Sequence, residues 1–318
     1  MMKRVALPGS DLAVSAIGYG TADLGVGMTD GDVASLLGAF RDAGGTFVDT
    51  AHVYAFWTSA GAGSSECAIG RYLAANRWDD VVVATKGGHP GLPGYRRTDR
   101  WLDPGRIHAD IEDSLGRLRV DRIDLYYLHR DDLDLTVDEI IDALNEEIRA
   151  GTIGAIAASN WSVARLQAAN DYAQARGLQG FVASQIEWSL ASKRPAEPKP
   201  RGDQTVVAQE QDIEFHRRSG LPLCAYASTA RGFFAPDSKN PSGYDNEASR
   251  TRRERARELA AQKGCTPTQI ALAWLMNQSF PCIPLTGTVS IEHLRENLGA
   301  AAVTLTDSER DYLAYQEN

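Results

Sequence analysis

The sequence predicts an α/β fold: a (β/α)8 TIM barrel of parallel strands, with an N-terminal β-hairpin closing the barrel bottom. Three observations predict it. Short apolar runs alternate with amphipathic helical patterns down the whole chain, about eight such units fill the 318 residues, and no linker marks a domain boundary. Parallel strands need crossover helices. Eight units in roughly 300 residues suit a closed barrel better than an open doubly wound sheet. The chain is therefore read as one domain spanning residues 1–318.

The expected strands are the runs at 16–19, 46–48, 81–84, 123–128, 154–158, 181–184, 223–225 and 282–285, each bounded by Gly, Pro or polar residues. Between them, residues 32–43 place Val33, Leu36, Leu37 and Phe40 on one helical face. Residues 104–117 do the same with Ile107, Ile111 and Leu115, and 137–148 and 267–275 follow suit. The Pro8-Gly9 turn marks the hairpin. Two irregular segments, 55–65 and 191–204, are expected to cover the site, as long loops on barrel enzymes do.

Hydrophobic residues make up 43% and charged residues 24% of the chain, as in ordinary globular enzymes. A formal net charge of −9 disfavours a nucleic-acid partner. The basic run from Arg250 to Arg257 reads as a solvated helix face. Nothing resembles a signal peptide or a membrane span. Cys67, Cys224, Cys265 and Cys282 are widely spaced, so free thiols in a reducing, cytoplasmic setting are expected. Gly18-Tyr-Gly20-Thr-Ala-Asp23 starts like a dinucleotide-binding glycine pattern but ends in Asp, and no phosphate-loop lysine motif occurs. The six histidines show no metal-ligand spacing, and no G-x-S-x-G elbow is present.

Barrel enzymes carry their chemistry at the C-terminal ends of the strands. Just past the successive runs lie Gly20 and Thr21, Asp49, Lys86, His129, Ser159 and Asn160, Gln185, Tyr226, and Thr286-Gly-Thr288, with Tyr54 five residues after Asp49. Singly, each has a plain structural role: a helix cap, a surface lysine, a rim histidine, a packed tyrosine. Together they would converge on one mouth.

The segments Thr46-Phe-Val-Asp-Thr-Ala-His-Val-Tyr54, Ala84-Thr-Lys86, Asp124-Leu-Tyr-Tyr-Leu-His129, Ala158-Ser-Asn160 and Arg295-Glu-Asn297 resemble the aldo-keto reductase family, over about residues 5–305. The resemblance implies an NAD(P)(H)-dependent oxidoreductase that interconverts a carbonyl and an alcohol. Tyr54 would be its general acid/base, Lys86 would lower the phenol's pKa, Asp49 would hold Lys86, and His129 would orient the substrate oxygen. It also implies that Ser159, Asn160 and Gln185 meet the nicotinamide amide and that Tyr226 stacks beneath the ring. Gly20, Thr21 and Asp49 would lie beside the cofactor. Ser228, Thr229 and Arg231 follow at the loop after Tyr226, and Gly287, Thr288, Ser290, His293, Glu296 and Asn297 at the adenosine end.

Two departures from the family stand out. Ala227 lacks the hydroxyl usual after that tyrosine, for which Ser228 or Thr229 would substitute. Between Leu285 and Leu294 only His293 could meet a 2′-phosphate, where the family commonly supplies Lys or Arg. NADP(H) is the family default, and NAD(H) is the alternative.

Tyr54, Trp57, His129, Trp161 and Trp188 are the expected substrate contacts, with Phe56 and Trp101 nearby. Indole faces suit the C–H faces of a sugar, polyol or other multi-hydroxyl compound, and Arg130-Asp-Asp132 could add polar contacts. The alternative is a cofactor-binding regulatory or sensor subunit of the same fold with little turnover. A Schiff-base role for Lys86 is disfavoured, because pairing with Asp49 would keep the amine protonated.

Overall fold

The computed structural model describes residues 2–92, 95, 100–239, 241 and 243–315. Eight parallel strands close into a barrel: β3 (Gly18–Gly20), β4 (Phe47–Asp49), β5 (Val82–Gly87), β6 (Ile123–Leu128), β7 (Ile153–Ser159), β8 (Ser184–Glu187), β9 (Leu223–Tyr226) and β10 (Cys282–Thr286). They are hydrogen-bonded in chain order, and β10 returns to β3. The helices are α1 (Asp30–Asp42), α2 (Ser64–Ala75), α3 (Pro104–Leu118), α4 (Val137–Ala150), α5 (Val163–Arg176), α6 (Glu210–Ser219), α7 (Glu247–Lys263), α8 (Pro267–Met276), α9 (Ile291–Gly299) and α10 (Asp307–Ala314).

Helix limits follow the local chemistry. Thr29, Thr136, Thr266 and Thr306 close capping boxes, which satisfy backbone donors left free in the first turn. Pro104 and Pro267 sit in first turns, where no amide hydrogen is needed. Gly151, Gly177, Gly220 and Gly264 end helices in the left-handed region.

The N-terminal hairpin, β1 (Arg4–Ala6) and β2 (Ala13–Ser15), is present as the sequence predicts. Leu7 and Val14 are fully buried against Phe47, Val82 and Leu125 of the barrel interior. Ser15 Oγ accepts from the amides of Thr46 and Phe47 at 3.0 and 3.2 Å, which ties the hairpin to the start of β4.

Side chains along a strand alternate between the barrel interior and the helices. On β6, Leu125 and Tyr127 pack inward, while Tyr126 and Leu128 pack against the helices. On β7, Ala155 and Ala157 face in and Ile156 and Ala158 face out. The interior also holds Phe47, Ala84, Ala183, Cys224 and Leu285, and a side chain on Gly18 would collide with Leu285 and Phe47. Two residues further along each of these chains, in the same inward register, come Gly20, Asp49, Lys86, His129, Ser159, Gln185, Tyr226 and Gly287. Period two therefore delivers eight site positions to one rim.

The strand expected at 181–184 lies later, at Ser184–Glu187, and several others extend past their apolar runs into polar residues. The runs mark where the apolar interior stops. The ladder continues beyond it, because inward polar side chains at the rim satisfy one another.

α2 and α3 meet at a glycine. A β-carbon on Gly70 would lie 2.2 Å from the carbonyl oxygen of Arg117, whereas one on Gly116 would meet nothing within 4 Å. Helix propensity favours alanine over glycine by about 1 kcal/mol, and an overpacked contact costs about 1–3 kcal/mol. Backbone against backbone cannot yield cheaply. Gly70→Ala is expected to lower the thermal midpoint and Gly116→Ala to raise it slightly. Calorimetric scans that reversed this order would contradict the close approach.

Candidate active site

Lys86 sits at the centre of the rim and is 1% exposed. Its ammonium donates to Asp49 Oδ2 at 2.6 Å, to the carbonyl of Thr50 at 2.8 Å and to the Tyr54 hydroxyl at 3.2 Å. An ammonium has three donors, and all three are used. Asp49 is held in turn, because Gln185 Nε2 donates to its other oxygen at 2.9 Å. Thr21, expected beside the cofactor, instead gives its hydroxyl to the Asp49 carbonyl and lies buried under the rim.

Tyr54 follows on the loop after β4, at a turn where Ala55 adopts φ 69°. Its ring stands perpendicular to His129, with centroids 6.0 Å apart. Burial pushes the phenol up from its ordinary value, and the charge and hydrogen bond of Lys86 only partly offset that push. Lys86 thus lowers the phenol's pKa as the sequence leads one to expect, but burial outweighs it. Burial also works against the charge on Lys86, but Asp49, Tyr54 and their hydrogen bonds outweigh it, and the ammonium's pKa is raised.

His129 is buried, and desolvation, with Arg130 and His89 adding to it, holds its pKa well below the usual value. The imidazole is therefore neutral near pH 7. Among the described residues, Nδ1 is buried without a hydrogen-bond partner. With nothing to accept a proton there, the hydrogen belongs on Nε2, as a donor. The perpendicular ring of His89, 4.8 Å away, packs behind it.

These groups border a cavity of about 840 Å³ at the C-terminal ends of the strands. Asp49, Tyr54, His129, Ser159, Asn160, Gln185 and Tyr226 line one part of it. Gly20, Ser228, Thr229, Arg231, Gly287, Thr288, His293, Glu296 and Asn297 also line it, so most residues expected beside a cofactor share this space. Asn160, at φ 60°, accepts from the Val206 amide at 2.9 Å and the Tyr226 hydroxyl at 2.8 Å, and donates to Ser159 Oγ. Ala227, Ala230 and Arg231 also have positive φ. Of the six non-glycine residues in that region among those described, only Arg119 lies away from the site. Such backbone costs roughly 1–3 kcal/mol per residue, so the surrounding packing must enforce it.

Several expected contacts lie elsewhere. Ser290 Oγ caps α9 by accepting from the His293 amide. Trp161 is 1% exposed, packed on Phe181 and under Arg165. Trp188 packs against Trp274 and Phe280. Trp57 is 51% exposed and rests on Phe56. Trp101 is buried with its indole donating to the Asp131 carbonyl. None of these four indoles lines the cavity. Trp57, Trp161 and Trp188 rest on aromatic partners outside it and Trp101 on the Asp131 carbonyl and Arg201, so the indole faces lend no support to a sugar contact.

The sequence reading missed Asp23, Thr205 and Lys239, which also line the cavity. Lys239 lies far in sequence from residues 285–294, where the family places a phosphate-binding cation.

A family model described as the aldo/keto reductase family matches residues 16–315. A solved structure described as the thermostable aldo-keto reductase Tm1743, in complex with the inhibitor epalrestat, is 26% identical. The match covers 98% of this chain and 99% of that one, with a TM-score of 0.74. The chain belongs to the aldo/keto reductase family. That membership makes it an NAD(P)-dependent oxidoreductase of carbonyls and alcohols. Among the described residues, no helix is long and apolar enough to cross a membrane.

The placement of Trp161 has a measurable consequence. Trp161→Ala should cost about 3–5 kcal/mol of stability, as for large buried aromatics. Trp161→Phe should cost less and leave KM unchanged. A raised KM with unchanged stability would return the indole to the substrate site.

Proposed function

We propose that the protein reduces carbonyl compounds to alcohols, and runs the reverse, with Tyr54 as the group that moves the proton. One observation carries this reading: Lys86 Nζ bonds Asp49 and the Tyr54 hydroxyl at once, with the phenol in the cavity wall. When bound, nicotinamide supplies the hydride. Tyr54 Oη gives its proton to the carbonyl oxygen, Lys86 stabilises the phenolate left behind, and Asp49 balances Lys86. His129 Nε2 donates to the same oxygen and orients it.

The cavity fits a dinucleotide in volume and lining. Ser159, Asn160 and Gln185 are suited to the nicotinamide amide and Tyr226 to its ring. The Asn160 oxygen already accepts from Tyr226, so that amide is oriented in advance. Gly287, Thr288, His293, Glu296 and Asn297, beside the first turns of α9, are suited to the adenosine end, where helix N-termini favour phosphate. Exposed Lys239 and Arg231 add positive charge to the lining and support NADP(H) over NAD(H).

Arg130 and the Thr205 hydroxyl support an oxygen-rich substrate, such as a sugar, polyol or other multi-hydroxyl compound. Four unpaired thiols support a cytoplasmic location, and the single closed barrel supports one domain over residues 1–318.

Tyr54→Phe is expected to abolish turnover while NADPH still quenches intrinsic fluorescence with nearly the same Kd. Normal turnover would remove Tyr54 from the chemistry. Tight NADPH binding without turnover in the unmodified protein would instead favour a regulatory subunit.

The pH dependence has a definite sign. A raised pKa keeps the phenol protonated at every pH below it, and protonated phenol is the form that donates. Carbonyl reduction is expected to stay level from about pH 6 to about pH 9, falling only above the ordinary phenol value of about 10. A kcat/KM profile that falls through pH 7 would assign the proton to another group.

A further inference from the structure

Three charged residues follow His129, and the fold sends them in different directions. Asp131 is buried and receives two hydrogen bonds from Arg165, at 3.0 and 2.9 Å. Asp132 is fully buried and receives Arg201 Nη2 at 3.1 and 3.3 Å. Arg130 alone lines the cavity, beside Tyr54, His129 and Tyr226.

Its guanidinium is poorly compensated. Nη1 donates to the carbonyl of its own neighbour, His129, at 2.7 Å, and no carboxylate among the described residues lies within ion-pairing distance. Asp203 acts on it through space, but Asp203 Oδ2 is held by Lys199 at 2.9 Å. The other buried cation of the site, Lys86, is neutralised by Asp49. His129 is neutral. This end of the cavity therefore keeps one unmatched positive charge, inside a chain whose net charge is −9. Burial pulls the Arg130 pKa down, yet a guanidinium keeps its charge near neutrality. A half-buried, planar donor fork whose remaining N–H groups meet no acceptor among the described residues is matched by a carboxylate.

We propose that Arg130 determines substrate specificity by binding a carboxylate, so that the preferred substrate is an oxo acid whose carbonyl lies at Tyr54 and His129. The inference rests on the reductase reading and narrows it: within oxygen-rich carbonyl compounds, it selects the acidic ones. Arg130 binds the end of the substrate that does not react.

The test compares succinic semialdehyde with its methyl ester, with NADPH saturating, in the unmodified enzyme, Arg130→Gln and Arg130→Lys. A charged hydrogen bond corresponds to about 10- to 100-fold in kcat/KM, and the unmodified enzyme is expected to prefer the acid by that factor. In Arg130→Gln the acid loses far more than the ester, and the ratio falls to near one. Arg130→Lys keeps the charge without the fork and retains part of the preference.

Calorimetric titration with succinate, which cannot react, gives a readout independent of turnover. Binding is expected to the unmodified protein and not to Arg130→Gln. No acid preference in the unmodified enzyme would overturn the proposal. So would an equal loss on both substrates in Arg130→Gln, or a matching loss of NADPH affinity, which would place the guanidinium on the cofactor. If neither substrate turned over, the reductase reading would fail, and succinate binding would still decide the role of Arg130.

Discussion

A lysine ammonium with 1% exposure sets the terms for the rest of this rim. An isolated charge inside a protein is far too costly to keep, so every neighbour of Lys86 is arranged to satisfy it. Asp49 supplies the opposite charge, Thr50 a carbonyl and Tyr54 a hydroxyl. Gln185, from the far side of the barrel, then fixes the second oxygen of Asp49. Removing one member of a buried pair commonly costs about 3–5 kcal/mol, because the other charge is left stranded. The cluster therefore binds β4, β5 and β8 together at the mouth while it holds a phenol against an ammonium. Stability and chemistry draw on the same contact.

That contact also explains why the phenol need not be acidic in the free protein. Burial favours the neutral hydroxyl, which is the form that gives up a proton to a carbonyl. Stabilisation by Lys86 grows as negative charge develops on Oη, so it acts more on the product of proton transfer than on the resting state. An interaction of that kind accelerates chemistry instead of merely tightening binding. A neutral His129 with its hydrogen on Nε2 adds a donor and no further positive charge beside Lys86.

The barrel and its inner rim were legible because both obey short-range rules. Alternation at period two places Asp49 after Phe47, Lys86 after Ala84, His129 after Tyr127 and Tyr226 after Cys224, whatever the helices outside do. Features that depend on long-range competition were not legible. Trp161 and Trp188 follow strand ends as the site residues do, yet they fall into the helix layer because Phe181, Trp274 and Phe280 offer apolar partners there. Lys239 reaches the cavity from a loop whose destination no local pattern encodes. The direction of the Tyr54 shift depended on how dry the site is, and desolvation has no sequence signature.

The run Arg130-Asp-Asp132 shows the same limit at the finest scale. In sequence it is three adjacent charges with nearly balanced sign. Which of them faces the cavity is decided by Arg165 and Arg201, which lie 34 and 69 residues from the aspartates that they bind. Each arginine takes one carboxylate out of the wall. Had either aspartate stayed at the cavity, it would have neutralised Arg130 and left that end of the site without net charge. The unmatched guanidinium thus results from two ion pairs made outside the cavity, and the preference proposed for the site is set by residues that never touch a substrate.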